Sequence, residues 1–337
     1  MSGSRIELAY GDQPPVGRML LLGAGRDFDL TPFDPGQTQI VQGFFPDVQA
    51  LEGWGYDIVT EPRGAFAQAL VVIPRSRALA RARLAQASAL LPEGAALWID
   101  GLKTDGIDSV LREIRGLLPV EEVHSRAHGK IFRVTIPADR WYPQEWVATA
   151  TEVAPGFSTV PGVFSADGPD PASVALVAHL PEKMPTRVVD LGAGWGWLSA
   201  QILARPGVEV LHLVEADAAS LDCAKRNVVD PRARFHWTDA LTFALSEPVN
   251  GVVMNPPFHE GRKADPALGA GFIQTAARLL TGAGRLWMVA NRHLPYEAVL
   301  RDNFADVSEI GGDSRFKILT ASGAGRGAVA RKKGRKS

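Results

Sequence analysis

The sequence predicts an α/β protein of two tandem, doubly wound Rossmann-like domains, the amino-terminal one degenerate. Three observations predict it. In the second half, apolar runs of strand length alternate with helical stretches, as in parallel sheets with crossover helices. A glycine-rich turn, Gly192-x-Gly194-x-Gly196, directly follows one of those runs. Segments of the first half repeat segments of the second at lower fidelity.

The elements of the second half follow in order. Thr186 to Asp190 reads as its first strand, and a helix starts at Trp197 and runs to Leu203. Val208 to Val214 is the second strand, followed by a helix from Ala218 to Asn227. Ala233 to Trp237 is a third strand and Val252 to Met254 a fourth. Gly271 to Leu280 is a helix, and Gly284 to Ala290 a fifth strand.

The first half echoes these elements. Met19-Leu-Leu-Leu-Gly23-Ala24-Gly25 mirrors Val188-Val-Asp-Leu-Gly192-Ala193-Gly194. Ala69 to Ile73 mirrors Gly251 to Met254, and Leu90-Leu91 with Leu97-Trp98 mirrors Leu279-Leu280 with Leu286-Trp287. The copies differ where chemistry would sit. This alignment sets Pro74 against Asn255, Arg75 against Pro256 and Asp27 against Gly196. The expected organisation is a degenerate, substrate-holding domain without cofactor over residues 1–145, a catalytic domain over 155–322, and a basic tail over 323–337. Trp141-Tyr-Pro and Ala154-Pro-Gly interrupt the pattern between the domains.

Composition narrows the setting. The chain has 337 residues, enough for two domains, with 46% hydrophobic and 22% charged residues. No apolar stretch is long enough to span a bilayer, and Met1 to Arg5 opens no secretory core, so a cytoplasmic protein is expected. A single cysteine, Cys223, leaves no internal disulfide and no cysteine-based zinc cluster. Its expected role is packing in the helix after Glu215, and no metal site is expected. At a net charge of −1, a nucleic-acid partner must be met by local patches. Arg75, Arg77, Arg81 and Arg83 form one candidate, and Arg331, Lys332, Lys333, Arg335 and Lys336 in the acid-free tail form another. A solvated helix face and a solubility tail are the alternative readings. A monomer is the expected oligomeric state.

The chemistry is carried by Asn255-Pro256-Pro257-Phe258, at the end of the apolar run Val252 to Met254. That arrangement suits methylation of a planar amino or amide nitrogen, a poor nucleophile because its lone pair is delocalised. The Asn255 side-chain oxygen can accept one N–H and the Pro256 carbonyl the other. Proline fixes φ, so that carbonyl is set before substrate arrives. Phe258 offers a π face to a flat base. His259 is a tempting general base but is not needed. A sulfonium methyl donor requires no prior deprotonation of the amine, and water can take the proton afterwards.

The cofactor follows from three strand ends. The glycine turn places bare backbone beside a ligand. Glu215 ends the next strand, where a carboxylate can accept both ribose hydroxyls of an adenosine. Asp239, after the third strand, can accept from an adenine amino group. These are the parts of an S-adenosylmethionine site. Nicotinamide dinucleotide binding shares the glycines and the acid but wants Gly or Ala where this chain has Trp197.

Several segments also carry a resemblance: Gly101 to Ile107, Ala127-His-Gly-Lys130, Pro161-Gly-Val-Phe-Ser165, Asp190 to Gly196, Asn255 to His259, Val289 to Pro295 and Arg315-Phe-Lys317. On them the chain resembles the bacterial ribosomal RNA guanine-N2 methyltransferases, above all those acting on small-subunit 16S RNA. The resemblance implies tandem class I methyltransferase domains, only the second binding S-adenosyl-L-methionine. It places cofactor on Asp190, Gly192, Gly194, Gly196, Glu215, Asp239 and Asn255, with Phe164 and Ser165 along its edge. The adjoining Ala193, Ala216 and Ala240 belong to the same expected lining. It gives the target amine to Asn255 through Phe258. The partner it implies is ribosomal RNA or the small subunit. The chain departs from the family in a short first domain and a basic tail, which bears on the choice of guanine. Other planar-nitrogen targets stay open: a 23S guanine, adenine N6 or a protein glutamine. So does a non-catalytic ribosome-assembly factor, although such a protein has no need of Asn255.

Overall fold

The computed structural model describes residues 4–11, 14–257, 259–260, 263–264 and 266–325. The chain divides into two units. One comprises Met1–Ala150 and Val160–Gly162, the other Thr151–Thr159 and Val163–Ser337.

The amino-terminal unit runs α1 (Arg5–Tyr10), β1 (Met19–Leu22), β2 (Thr38–Val41), α2 (Phe45–Glu52), β3 (Asp57–Val59), β4 (Gln68–Val72), α3 (Arg77–Ala89), β5 (Ala96–Leu102), α4 (Ile107–Arg115), β6 (Val123–Arg126) and β7 (Gly129–Thr135). Its seven strands lie in the order β3-β2-β1-β4-β5-β7-β6. β7 runs antiparallel to both its neighbours. All four residues of β1 are buried, as in a parallel strand covered on both faces. Ser76 caps α3 by accepting from the Leu79 N–H. α4 buries Ile107, Val110, Leu111 and Ile114, one stripe at helical spacing.

The carboxy-terminal unit opens with the hairpin β8 (Thr151–Ala154) and β9 (Phe157–Thr159), then α5 (Pro171–Val177), β10 (Arg187–Leu191), α6 (Trp197–Leu203), β11 (Val210–Glu215), α7 (Ala218–Asn227), β12 (Ala233–Trp237) and β13 (Val249–Met254). The short pair β14 (His259–Glu260) and β15 (Lys263–Ala264) precedes α8 (Pro266–Leu279), β16 (Leu280–Asn291), α9 (Tyr296–Asn303), β17 (Phe304–Gly312) and β18 (Phe316–Ala324). Its main sheet is β12-β11-β10-β13-β16-β18-β17, the same order as in the first unit. One face packs Leu176, Leu198, Ile202 and Ala224 from α5, α6 and α7. The other packs Phe272, Ile273, Ala276 and Leu300 from α8 and α9. Cys223 is buried in α7.

Some boundaries differ from the sequence reading. α8 starts at Pro266, not Gly271, because Gly269 and Gly271 are accommodated inside the helix. β13 starts at Val249, three residues before Val252. β16 reaches back to Leu280.

The sheet registers correct the alignment of the two copies. Met19 pairs with Thr38 and Gln68. Its counterpart Val188 pairs with Leu211 and Gly251. Counting along paired strands sets Leu21 at the position of Asp190, Gln42 at Glu215 and Val72 at Asn255. Pro74 therefore falls at Pro257, not at Asn255, and Ile73 rather than Arg75 falls at Pro256. The sequence alignment matched a five-residue apolar run to a four-residue one, and only the hydrogen-bonded neighbours fix the frame. Asp27 still falls at Gly196.

Candidate active site

In an open parallel sheet, ligands bind at the carboxyl ends of the strands where the strand order reverses. In the carboxy-terminal unit that point lies between β10 and β13, between the glycine turn and Asn255. Gly192, Gly194 and Gly196 have φ of 84°, 56° and 88°, a region that L side chains rarely occupy. Their surroundings differ. A Cβ on Gly194 would meet nothing within 4 Å, so this glycine borders open space. A Cβ on Gly192 would come 3.2 Å from Phe272. One on Gly196 would strike Val228 at 2.8 Å and Ala224 at 3.1 Å, so Gly196 lets α6 and α7 approach. The Gly192 and Ala193 N–H groups both donate to the Val214 carbonyl, which ties the turn to β11.

Two acids sit under the turn. Glu215 Oε2 accepts from the Gly194 N–H at 2.8 Å and Oε1 from the Asp217 N–H at 2.8 Å. Burial pushes its carboxyl up, against those two backbone donors. Asp190 is fully buried in β10; Oδ2 accepts from Ser199 Oγ at 2.6 Å, while Oδ1 has no partner among the described residues. Burial pushes its carboxyl up to about 7, opposed by the Ser199 hydroxyl and reinforced by the charge of Glu215. Asp239 Oδ1 accepts from the Leu241 N–H at 2.8 Å and holds the loop after β12. Beside these acids, the Ala216 carbonyl accepts from Trp237 Nε1, and Ala240 is buried.

The raised Asp190 makes a pH prediction. An aspartate in an unfolded chain titrates near ~3.9. Between that value and about 7 the native state holds the extra proton, so stability falls as pH rises through this window. Asp190→Asn should therefore flatten the dependence of Tm on pH between about 4 and 7 in the ligand-free protein. Equal slopes in the two proteins would assign that titration elsewhere.

Asn255 follows β13 directly. Its Nδ2 donates to Asp170 Oδ2 at 2.8 Å and to Ser173 Oγ at 2.9 Å. A carboxylate oxygen can only accept, so the amide orientation is fixed by chemistry. Asn255 Oδ1 is buried and has no hydrogen-bond partner among the described residues. Pro256 is buried and Pro257 exposed. Phe258 lies outside the described residues.

A loop completes this edge. The Phe164 carbonyl accepts from Trp195 Nε1 at 3.0 Å, and Phe164 is 62% exposed. Ser165 has φ of 51° and donates to the Gly168 carbonyl. Asn227 donates to the Ser158 and Trp195 carbonyls, joining β9 to the glycine turn. Asp170, Ser173, Ser199, Trp195 and Asn227 were not singled out in the sequence. Only Asp170-Pro171 carried a signal there, that of a helix cap with proline at N1.

The amino-terminal unit keeps the frame and changes the groups. Gln42, at the position of Glu215, accepts from the Phe44 N–H at 2.9 Å and donates to the Ala24 carbonyl at 2.9 Å. Arg83 Nη1 donates to the Val72 carbonyl at 3.0 Å and lies where a Cβ on Gly23 would fall. The other three arginines of the cluster meet acids: Arg75 meets Asp105, while Arg77 and Arg81 share Glu113. The cluster is thus not one open basic face. Arg331, Lys332, Lys333, Arg335 and Lys336 lie outside the described residues.

Among the described residues no cluster of three or more His, Cys, Asp or Glu could hold a metal ion, and no helix is long and apolar enough to cross a membrane. Residues 155–320 match the family model of the methyltransferase small domain. That match covers just under half of the chain. Relatives match over more of the chain than this unit. A ribosomal RNA small subunit methyltransferase C of Hahella chejuensis is 29% identical over 80% of this chain and 82% of its own. Its namesake from Acinetobacter baumannii is 26% identical over 90% and 95%. Among solved structures, the T. thermophilus 16S rRNA N2 G1207 methyltransferase, in complex with AdoMet and guanosine, superposes with a TM-score of 0.77. It is 23% identical and covers 94% of this chain and 91% of its own. That likeness establishes the tandem Rossmann-like methyltransferase fold.

Proposed function

We propose that the protein transfers a methyl group from S-adenosylmethionine to the exocyclic N2 of a guanine in 16S ribosomal RNA. The observation that carries this reading is Asn255 Oδ1, a buried acceptor without a partner among the described residues, at the carboxyl end of β13. The names of the relatives support 16S RNA as the substrate.

The residues fit the cofactor. Gly194 borders open space, Asp190 Oδ1 is an orphaned acceptor, and Glu215 presents a carboxylate at the end of β11. Gly192, Ala193, Ala216, Asp239 and Ala240, with Phe164 and Ser165, would complete the holding set. Bound there, S-adenosylmethionine supplies an electrophilic methyl group. Asn255 Oδ1 accepts one N–H of the guanine amine and the Pro256 carbonyl the other, which turns the lone pair out of conjugation. Phe258 stacks on the base, which must be unpaired or flipped. The proton leaves to water after transfer.

The amino-terminal unit, in this reading, holds RNA and no cofactor. Leu21, Gln42 and Val72 replace the two acids and the amide, and the Arg83 cation occupies the turn. Arg75 and Arg77, about half exposed at 48% and 58%, and the basic tail would meet phosphate. Truncation after Gly325 combined with Arg75→Glu and Arg77→Glu should weaken RNA binding and lower its salt slope by several units, about 0.7–0.9 per lost phosphate contact. An unaltered slope would remove these residues from the interface.

The deciding experiment is mass spectrometry of nucleosides and fragments from 16S RNA of a deletion strain, with methylation restored by the purified protein. Loss of one N2-methylguanosine is expected. A missing methyl on adenine N6, on 23S RNA or on a protein glutamine would overturn the assignment, and intact methylation everywhere would favour an assembly factor.

A further inference from the structure

We infer that Asp170 and Ser173 are positioning residues that fix which end of the Asn255 carboxamide faces the substrate. The inference rests on the reading of Asn255 given above. An unrestrained carboxamide can turn by 180° and present its NH2 where its oxygen should be. With NH2 forward, two donors would face each other at the target amine and nothing would orient the lone pair. Here both Nδ2 hydrogens are taken, by Asp170 Oδ2 at 2.8 Å and by Ser173 Oγ at 2.9 Å. The inverted amide would set a carbonyl oxygen against a carboxylate, two acceptors with no proton between them. Only one orientation is compatible with Asp170, and it leaves Oδ1 as the group without a partner among the described residues.

The anchor is itself held. Asp170 is the N-cap of α5, and the same Oδ2 accepts from the Ser173 N–H at 3.0 Å. Pro171 at the first helical position fixes the entry of the chain. α5 packs against β16 and β18 through the buried Ala172 and Leu176. The orientation of one amide is thus set by a helix terminus 85 residues away in sequence.

The amino-terminal unit provides an internal contrast. Its cap at α1, Ser4, likewise accepts from the backbone N–H three residues on, at Glu7. Val72 stands at the position of Asn255 and offers no amide. Ser4 Oγ instead donates to Asp29. Both helices are capped by a side chain, and the anchored amide occurs only in the unit that has Asp190 and Glu215.

The test separates the cap from the anchor. Asp170→Ser keeps a side-chain acceptor for the helix cap, but its oxygen is too short to reach Asn255. Asp170→Asn keeps an acceptor oxygen at full length. Single-turnover methyl transfer should fall at least ~30-fold in Asp170→Ser combined with Ser173→Ala. Asp170→Asn should recover at least ~10-fold of that loss. S-adenosylhomocysteine affinity, measured by calorimetry, should stay within ~3-fold in both proteins, and so should RNA affinity. A wild-type rate in the double variant would overturn the inference. So would an Asp170→Asn protein as slow as the double variant, since charge and not orientation would then be the cause. Asn255→Ala, run alongside, reports separately on the reading beneath: if it is slow while the double variant is fast, only the positioning role fails.

Discussion

Asn255→Ala is expected to lower the single-turnover rate of methyl transfer by at least ~10²-fold, a barrier increase of ~2.7 kcal/mol. The magnitude follows from when the interaction is used. In the ground state the guanine N2 is planar and its N–H groups can bond to water or to a base-paired partner. As the carbon–nitrogen bond forms, the nitrogen becomes tetrahedral and its hydrogens more acidic. An acceptor already in place then gains strength without reorganising. Asn255 Oδ1 is such an acceptor, since Asp170 and Ser173 hold the other end of the amide. Groups that act mainly in the transition state change turnover more than affinity. RNA affinity should therefore fall far less than the rate, and cofactor affinity only modestly. Asn255→Asp should also be slow, because a carboxylate beside Asp170 sets two like charges together in a buried place. A wild-type single-turnover rate in Asn255→Ala, on small subunits from a methylation-deficient strain, would remove Asn255 from the chemistry.

Glu215→Gln is expected to weaken S-adenosylmethionine binding by about 1.5–3 kcal/mol, the scale of hydrogen bonds to a charged group. Alanine would be the cruder test, since it strands the Gly194 and Asp217 N–H groups that Glu215 now receives. Glutamine is the sharper one because the protein already contains it. Gln42 stands at the same register, keeps the bond from the Phe44 N–H, and turns its NH2 to the Ala24 carbonyl. The variant should fold with the same arrangement and lose one acceptor from the ribose position. Its melting temperature without ligand should change little, since the bond lost from the Gly194 N–H is offset by replacing a carboxyl pushed up by burial with a neutral group. Calorimetry that finds unchanged cofactor affinity would exclude Glu215 from the site.

The fold was legible because parallel strands are buried on both faces and read as apolar runs, while glycine punctuates their ends. The duplication was legible for the same reason, but its frame was not. Hydrophobicity places Ala69 to Ile73 in a strand without saying which residue ends it, and the two-residue error put Pro74 opposite Asn255. Asn255 itself was legible because proline after a strand end is informative locally. Asp170 and Ser173 were not, since nothing local ties a helix cap to an amide more than 80 residues on. The acidic neighbours of the arginine cluster were not legible either. Four cations within nine residues look like a patch, but Asp105 and Glu113, brought from α4 and the turn before it, pair with three of them.

The exchange of Asp190 for Leu21 and of Glu215 for Gln42 has a thermodynamic meaning. Two acids in one unit are held where burial opposes their ionisation, and the other unit has a hydrocarbon and an amide at those places. Within a single chain, one unit holds two acids where burial disfavours their charge, and the other keeps the same strand order without them. At these two places the amino-terminal unit carries no acid that burial must hold protonated.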